Sequence, residues 1–167
     1  MDLSTDYLGL KLKNPLVPSA SPLSRSLDIA KRLEDAGAAA LIMHSLFEEE
    51  IYHEQLTLGG YLYQQELGHP EASSFLPFPS GLGSEVDLYL EQLRKLKESL
   101  DIPVIASLNG VDIETWVDFG KELQEAGADA LELNVYHIPA DIDEPGAAVE
   151  QRFIAMGTVT CALSSLS

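Results

Sequence analysis

Four short stretches hold the residues best suited to chemistry: "PSASP" (residues 18–22), "MHSLFEEE" (43–50), "SLNGVD" (107–112) and "NVYHIPADID" (134–143). Between them they carry small side chains, hydroxyls, two asparagines and two histidines. Small residues let a flat ligand approach the backbone. An asparagine amide offers a donor and an acceptor together, which suits a heteroaromatic ring with carbonyl and imide edges, such as a flavin or a pyrimidine. Each candidate also has a plainer reading. Ser19 and Ser21 are either ligand contacts or turn residues, and His44 is either a ligand contact or a packed strand-end histidine. Asn134 lies inside "LELNV", where asparagine is out of place in an apolar strand. If buried it must be satisfied, which makes it the strongest single candidate. His137 is an acid or base able to work near neutral pH, or else a surface loop residue.

These residues need elements to position them. Residues 14–21, "NPLVPSAS", form a short apolar run between prolines, read as a buried strand ending in a loop. "SRSLDIAKRLEDAG" has Leu27, Ala30, Leu33 and Ala36 at helical spacing, Ser24 or Ser26 to cap it and Gly37 to end it. "AAALIMHS" is a second buried strand. Residues 47–83 show little periodicity, and an interval of that length is a functional loop, a lid or a disordered segment. Residues 85–100 form an amphipathic helix with Leu88, Leu93, Leu96 and Leu100 as its stripe. "DIPVIASLNG" is a third strand, "DIETWVDFGKELQEAG" a helix with Asp112 as its cap, and "ADALELNVYHIP" a fourth strand.

Strand and helix alternate, which implies a parallel sheet with crossover helices and strands apolar on both faces. "LEDAGAAAL" (33–41) and "LQEAGADAL" (123–131) share the pattern L..AGA.AL. Each reads as a helix end, a glycine cap and the entry to a strand. With the alternation, the repeat points to a (β/α) barrel-like architecture.

At 167 residues a single domain is expected. The formal charge of −17 offers no basic face for nucleic acid and no attraction to anionic membranes. No apolar run approaches the ~18 residues of a membrane span, and the N-terminus lacks the pattern of a signal peptide. One cysteine, Cys161, allows no internal disulfide, which fits a reducing cytoplasm. Several motifs fail. "GLGSEV" (81–86) lacks the third glycine of a dinucleotide fingerprint, and "HEQLT" (53–57) lacks the second histidine of a zinc-protease helix. No phosphate loop or paired-cysteine metal site is present, and no metal is expected.

"YLGLKLKNPLVPSAS" resembles the opening of dihydroorotate dehydrogenases, FMN-dependent TIM barrels of pyrimidine synthesis. "IPVIASLNG" followed by "ELQEAGADALELNV" resembles their third strand, third helix and fourth strand, and "SLFEE" belongs with the dihydroorotate dehydrogenase-like subgroup. The match runs from about Asp6 to Arg152, leaving out much of 48–83. The resemblance implies FMN as cofactor, with Ala20 and Ser21 as contacts from the first strand. It sets His44 and Ser45 where the family carries a lysine and a hydroxyl residue near the flavin. It makes Asn134 a contact to both flavin and substrate. The family continues "SCPN" and uses a cysteine or serine as base, whereas this chain runs "VYHIP" and holds His137 there. A histidine is chemically competent as a base. The orotate-gripping asparagine loop of the family is not evident in 48–83. The implied reaction is oxidation of a dihydroorotate-like small molecule at a C–C bond beside a carbonyl.

A complete (β/α)8 barrel takes ~250 residues. The fold expected is therefore an α/β N-terminal half of a TIM barrel, with about four parallel strands and crossover helices over residues 1–153. Residues 154–167, "IAMGTVTCALSSLS", carry no charge and read as an atypical tail of a truncated or frameshifted gene. The half barrel's open edges invite pairing into a homo-oligomer. Three functions follow: a family oxidoreductase inactive as this piece alone, a non-catalytic flavin- or pyrimidine-binding half barrel, or a piece of another TIM-barrel enzyme.

Overall fold

A computed structural model describes residues 1–47, 84–110, 113–135 and 141–164. The chain opens with an antiparallel hairpin, β1 (Thr5–Tyr7) and β2 (Leu10–Leu12), with Tyr7 opposite Leu10. Leu8 and Gly9 both have positive φ, 52° and 79°, the backbone of a two-residue turn whose twist matches its strands. A single 3-10 turn (Pro22–Arg25) leads into α1 (Leu27–Asp35). Then come β3 (Leu41–Phe47), α2 (Glu85–Ser99), β4 (Val104–Gly110), α3 (Ile113–Glu125), β5 (Ala130–Val135) and α4 (Gly146–Ser164). Strands β3, β4 and β5 form one parallel sheet in that order. Among the described residues no helix is long and apolar enough to cross a membrane.

The helices begin and end where the sequence says they should. Ser26 Oγ caps α1 by accepting from the Ile29 amide. Ser84 and Asp87 exchange bonds in a capping box at the start of α2. The repeated L..AGA.AL becomes the same corner twice. Ala38 N–H donates to Leu33 C=O at 3.1 Å and Ala128 N–H to Leu123 C=O at 3.0 Å. Gly37 and Gly127 take φ of 104° and 99°, where a side chain would be strained.

Two expectations need correction. The sheet has three parallel strands among the described residues, not about four, because residues 14–21 form no regular strand. Leu16 C=O accepts from Ala39 N–H at 2.9 Å and Pro18 C=O from Ile42 N–H at 3.3 Å, so the segment lies along β3. Pro15 and Pro18 have no N–H to return, and the ladder cannot continue. Leu16 is 67% exposed, not buried. In α2 the buried stripe is Tyr89, Leu90, Leu93 and Leu96, while Leu88 faces water at 48% exposure. Residues 154–164 of the expected tail belong to α4. The expected loop at 48–83 and the cap at Asp112 lie outside the described residues.

The sheet has two unlike faces. One carries Leu41, Met43, Leu46, Val104, Ala106 and Leu108 into the main core beneath α1, α2 and α3. The opposite face is apolar only at the strands' starting ends, where Ala40, Ile42 and Ile105 meet Leu12 and Val17. The hairpin therefore closes the bottom of this face, which no described helix covers.

Candidate functional site

Further along that face the side chains turn polar, and a β-bulge causes the change. Leu41 pairs with Val104 and Ile42 with Ile105, but the next pair is Ser45 with Ser107. Three steps on β3 match two on β4. One extra residue reverses the in–out alternation of the strand that follows it. Leu41 and Met43 face the helices, and so does Leu46. Ser45 is thereby turned to the opposite face, where without the bulge it would have pointed into the core.

Ser45, Ser107 and Glu132 then form a row across β3, β4 and β5, with Asn134 one step further along β5. Ser107 is fully buried and links all of them. Its hydroxyl donates to Glu132 Oε1 at 2.9 Å. That uses its single proton, so Ser45 Oγ, 2.9 Å away, is the donor in their bond. Asn134 Nδ2 donates to Ser107 Oγ at 3.3 Å and to Glu132 Oε1 at 3.1 Å. Behind the row, the Tyr89 hydroxyl accepts from Ser107 N–H at 2.9 Å and lies 3.3 Å from the same residue's C=O. A bulge disrupts its ladder locally, and the phenol supplies partners at that level. Burial pushes the Tyr89 pKa above the usual tyrosine range, so it remains a neutral donor and acceptor.

A second hydroxyl cluster stands at the end of β3. Ser24 Oγ accepts from the His44 N–H at 2.7 Å and donates to Ser21 C=O at 3.0 Å. With that proton committed, His44 Nδ1, at 3.2 Å, must be the donor to Ser24 Oγ. The neutral ring thus carries its proton on Nδ1. Gln92 Nε2 donates to Ser24 C=O at 3.0 Å, and the His44 ring packs on Tyr89 with centroids 5.0 Å apart. Burial, with a smaller contribution from the Arg25 charge, lowers the His44 pKa to about 4.

The structure brings together some of the residues singled out in the sequence and separates others. Ala20 packs at the apolar end of the uncovered face with Ile42 and Ile105. Ser45 and Asn134 belong to the polar row on that face. Ser21 begins the 3-10 turn and uses its C=O to hold Ser24. The His44 side chain turns toward Tyr89 and the helix layer, away from Ser45 and Asn134. His137 lies outside the described residues. Glu132 and Tyr89 were not anticipated, and Ser107 only as part of the stretch 107–112. The signal for Glu132 was present: "LELNV" alternates, with Leu131 and Leu133 toward the helices, so β5 is not apolar on both faces as expected. Among the described residues no group of three or more His, Cys, Asp or Glu could hold a metal ion.

No family model matches the chain. Curated relatives do. The catalytic subunit of dihydroorotate dehydrogenase B (NAD(+)) from Thermoplasma acidophilum is 32% identical over 135 residues, which are 80% of this chain and 41% of that protein. The subunit of the same name from Methanocaldococcus jannaschii is 27% identical over 141 residues, again 80% and 41%. The NAD-dependent dihydropyrimidine dehydrogenase subunit PreA of Escherichia coli K12 is 26% identical over 145 residues, covering 80% of this chain and 32% of PreA. Among solved structures, a dihydrodipicolinate synthase from Bacillus anthracis overlays 86% of the chain, and 42% of its own, at a TM-score of 0.47 and 15% identity, too loose an overlay to define a fold. The chain is an α/β protein related to oxidoreductases. More narrowly, its curated relatives include dihydroorotate dehydrogenases, and it spans about a third to two-fifths of the length of the relatives named here.

Proposed function

We propose that this chain is a segment of a flavin-dependent oxidoreductase of the dihydroorotate dehydrogenase type. Its substrate is a dihydroorotate-like small molecule oxidised at a C–C bond beside a carbonyl. The observation that carries the reading is the polar row Ser45–Ser107–Glu132–Asn134, which runs from the middle of the parallel strands toward their C-terminal ends, in a chain related to that family. Ligands of parallel α/β folds bind at those ends. A sheet covered by helices on one face, with the other face apolar below and polar above, suits one arc of a (β/α)8 barrel. The remaining strands would come from the rest of a longer chain or from a second copy.

The donor set fits FMN. Ala20 leaves room against the backbone, Ser45 offers a hydroxyl, and Asn134 an amide whose acceptor no described residue uses. Ser21 is the further contact at the first loop. Bound there, the flavin would accept the hydride from substrate, while the protein positions and tunes it. His137 stands at the base position of the family and would hold the proton removed from substrate. The His44 side chain turns to Tyr89, so the place of the family's lysine presents no cation to the polar row. That observation favours a second reading, in which this segment binds flavin or pyrimidine without turnover.

The test is a visible absorption spectrum of the purified chain after incubation with FMN and desalting. A retained flavin band, bleached by dihydroorotate, is the expected result for the oxidoreductase. A retained band without bleaching favours binding alone, and no retained band in a folded chain rejects both readings.

A further inference from the structure

We propose that Glu132 is a positioning residue: it fixes the side-chain amide of Asn134 so that only the carbonyl oxygen faces a ligand. The site then selects a ligand edge that donates an N–H, such as an imide. The proposal rests on the reading of Asn134 as a ligand contact.

The argument is one of donors and acceptors. Asn134 Nδ2 has two protons and two acceptors within reach, Ser107 Oγ at 3.3 Å and Glu132 Oε1 at 3.1 Å. Ser107 Oγ has already given its own proton to the same Glu132 oxygen, at 2.9 Å. On that side of the amide every group is an acceptor. Turning the amide over would bring Oδ1 against the Glu132 oxygen and break both bonds at once, while leaving Nδ2 to the outside. The amide therefore has one orientation. Asn134 Oδ1 accepts no bond from any described residue, and it is not among the buried polar atoms, on a residue that is partly exposed near the end of β5. Glutamate is a poor strand residue, and here its carboxyl group is spent on the neighbouring amide and on Ser107 rather than on a cation. No described Lys or Arg pairs with it.

A purely structural role, tying β5 to β4 through Ser107, would predict loss of stability without any change in ligand choice. Two variants and two readouts separate these roles. Glu132→Gln keeps an acceptor oxygen in place, while Glu132→Leu removes it; Glu132→Ala serves if the leucine variant does not fold. The first readout is solvent exchange of the Asn134 Nδ2 protons by NMR, which needs no ligand. Exchange is expected to be slow in the native chain and in Glu132→Gln, and at least about tenfold faster in Glu132→Leu, as for an amide that has lost a bonded partner. The second readout is the ratio of affinities for riboflavin and 3-methylriboflavin, which differ by the imide N–H. The native chain and Glu132→Gln should prefer riboflavin by about tenfold or more, the scale of one oriented hydrogen bond, and Glu132→Leu should lose the preference. Equal exchange in all three proteins, or a preference that survives in Glu132→Leu, overturns the proposal. If the native chain binds neither flavin, the proposed function fails, and the exchange pattern alone then upholds or overturns the positioning role.

Discussion

Ser24 and Ser107 are the two buried polar residues among the described ones, at 1% and 0% exposure, and each is the centre of a hydroxyl cluster. In the cluster around Ser24 the central hydroxyl is saturated. It meets the His44 N–H, His44 Nδ1 and Ser21 C=O, and so ties the 3-10 turn to the edge strand. The cluster around Ser107 ties three strands together, yet it ends in an amide whose acceptor has no partner among the described residues. The same side chain at the same burial therefore serves two ends. One cluster spends every bond of its central hydroxyl on a turn and the strand beside it. The other keeps one in reserve at the place where parallel sheets bind ligands.

That contrast can be broken by experiment. Ser24→Ala strands the His44 N–H and should cost about 2–3 kcal/mol in urea unfolding, the penalty of an unpaired buried donor, with no change in flavin retention. Ser107→Ala should do the reverse. Ser45, Glu132 and Asn134 are all partly exposed and can turn to water, so stability should fall by only about 1 kcal/mol while flavin retention falls sharply. Equal losses on both scales in the two variants would erase the distinction. The smallest effect is that of pH. His44 has a folded pKa of about 4, below the 6.5 of a free histidine. Between those values the unfolded chain binds a proton that the folded chain refuses. Its contribution is intact above pH 6.5, declines as pH falls, and is lost below about pH 4. For a half-buried ring screened by water this amounts to about 1 kcal/mol. Unfolding titrations of the native chain and His44→Gln should diverge by that amount across the window.

Much of the frame was legible in the sequence because its causes are local. The glycine corners at Gly37 and Gly127, the Ser26 cap, and β3, β4 and β5 all follow from short patterns. Ser45 and Asn134 were legible as polar residues at strand ends. What stayed hidden depends on partners far along the chain. The Ser45–Ser107 bond joins residues 62 positions apart, and Tyr89 reaches Ser107 across 18. The bulge follows no periodicity: "LIMHSLF" reads as a uniform apolar strand until β4 is laid beside it. The first expected strand failed for a reason present in the sequence, since Pro15 and Pro18 bracket it. The hairpin at residues 5–12 also had its signal in Leu8-Gly9, a glycine in a two-residue turn between short alternating runs.

Those two prolines have a consequence for how the sheet can grow. On its β3 flank the sheet meets a segment that accepts two hydrogen bonds and cannot return them at Pro15 or Pro18. Toward β3, then, the segment can accept but not donate at Pro18. On the β5 flank no described strand is paired. The two flanks are therefore unlike: any strand that joins on the β5 side would lie beside Glu132 and Asn134, so that under the proposed function the ligand contacts stand next to that seam.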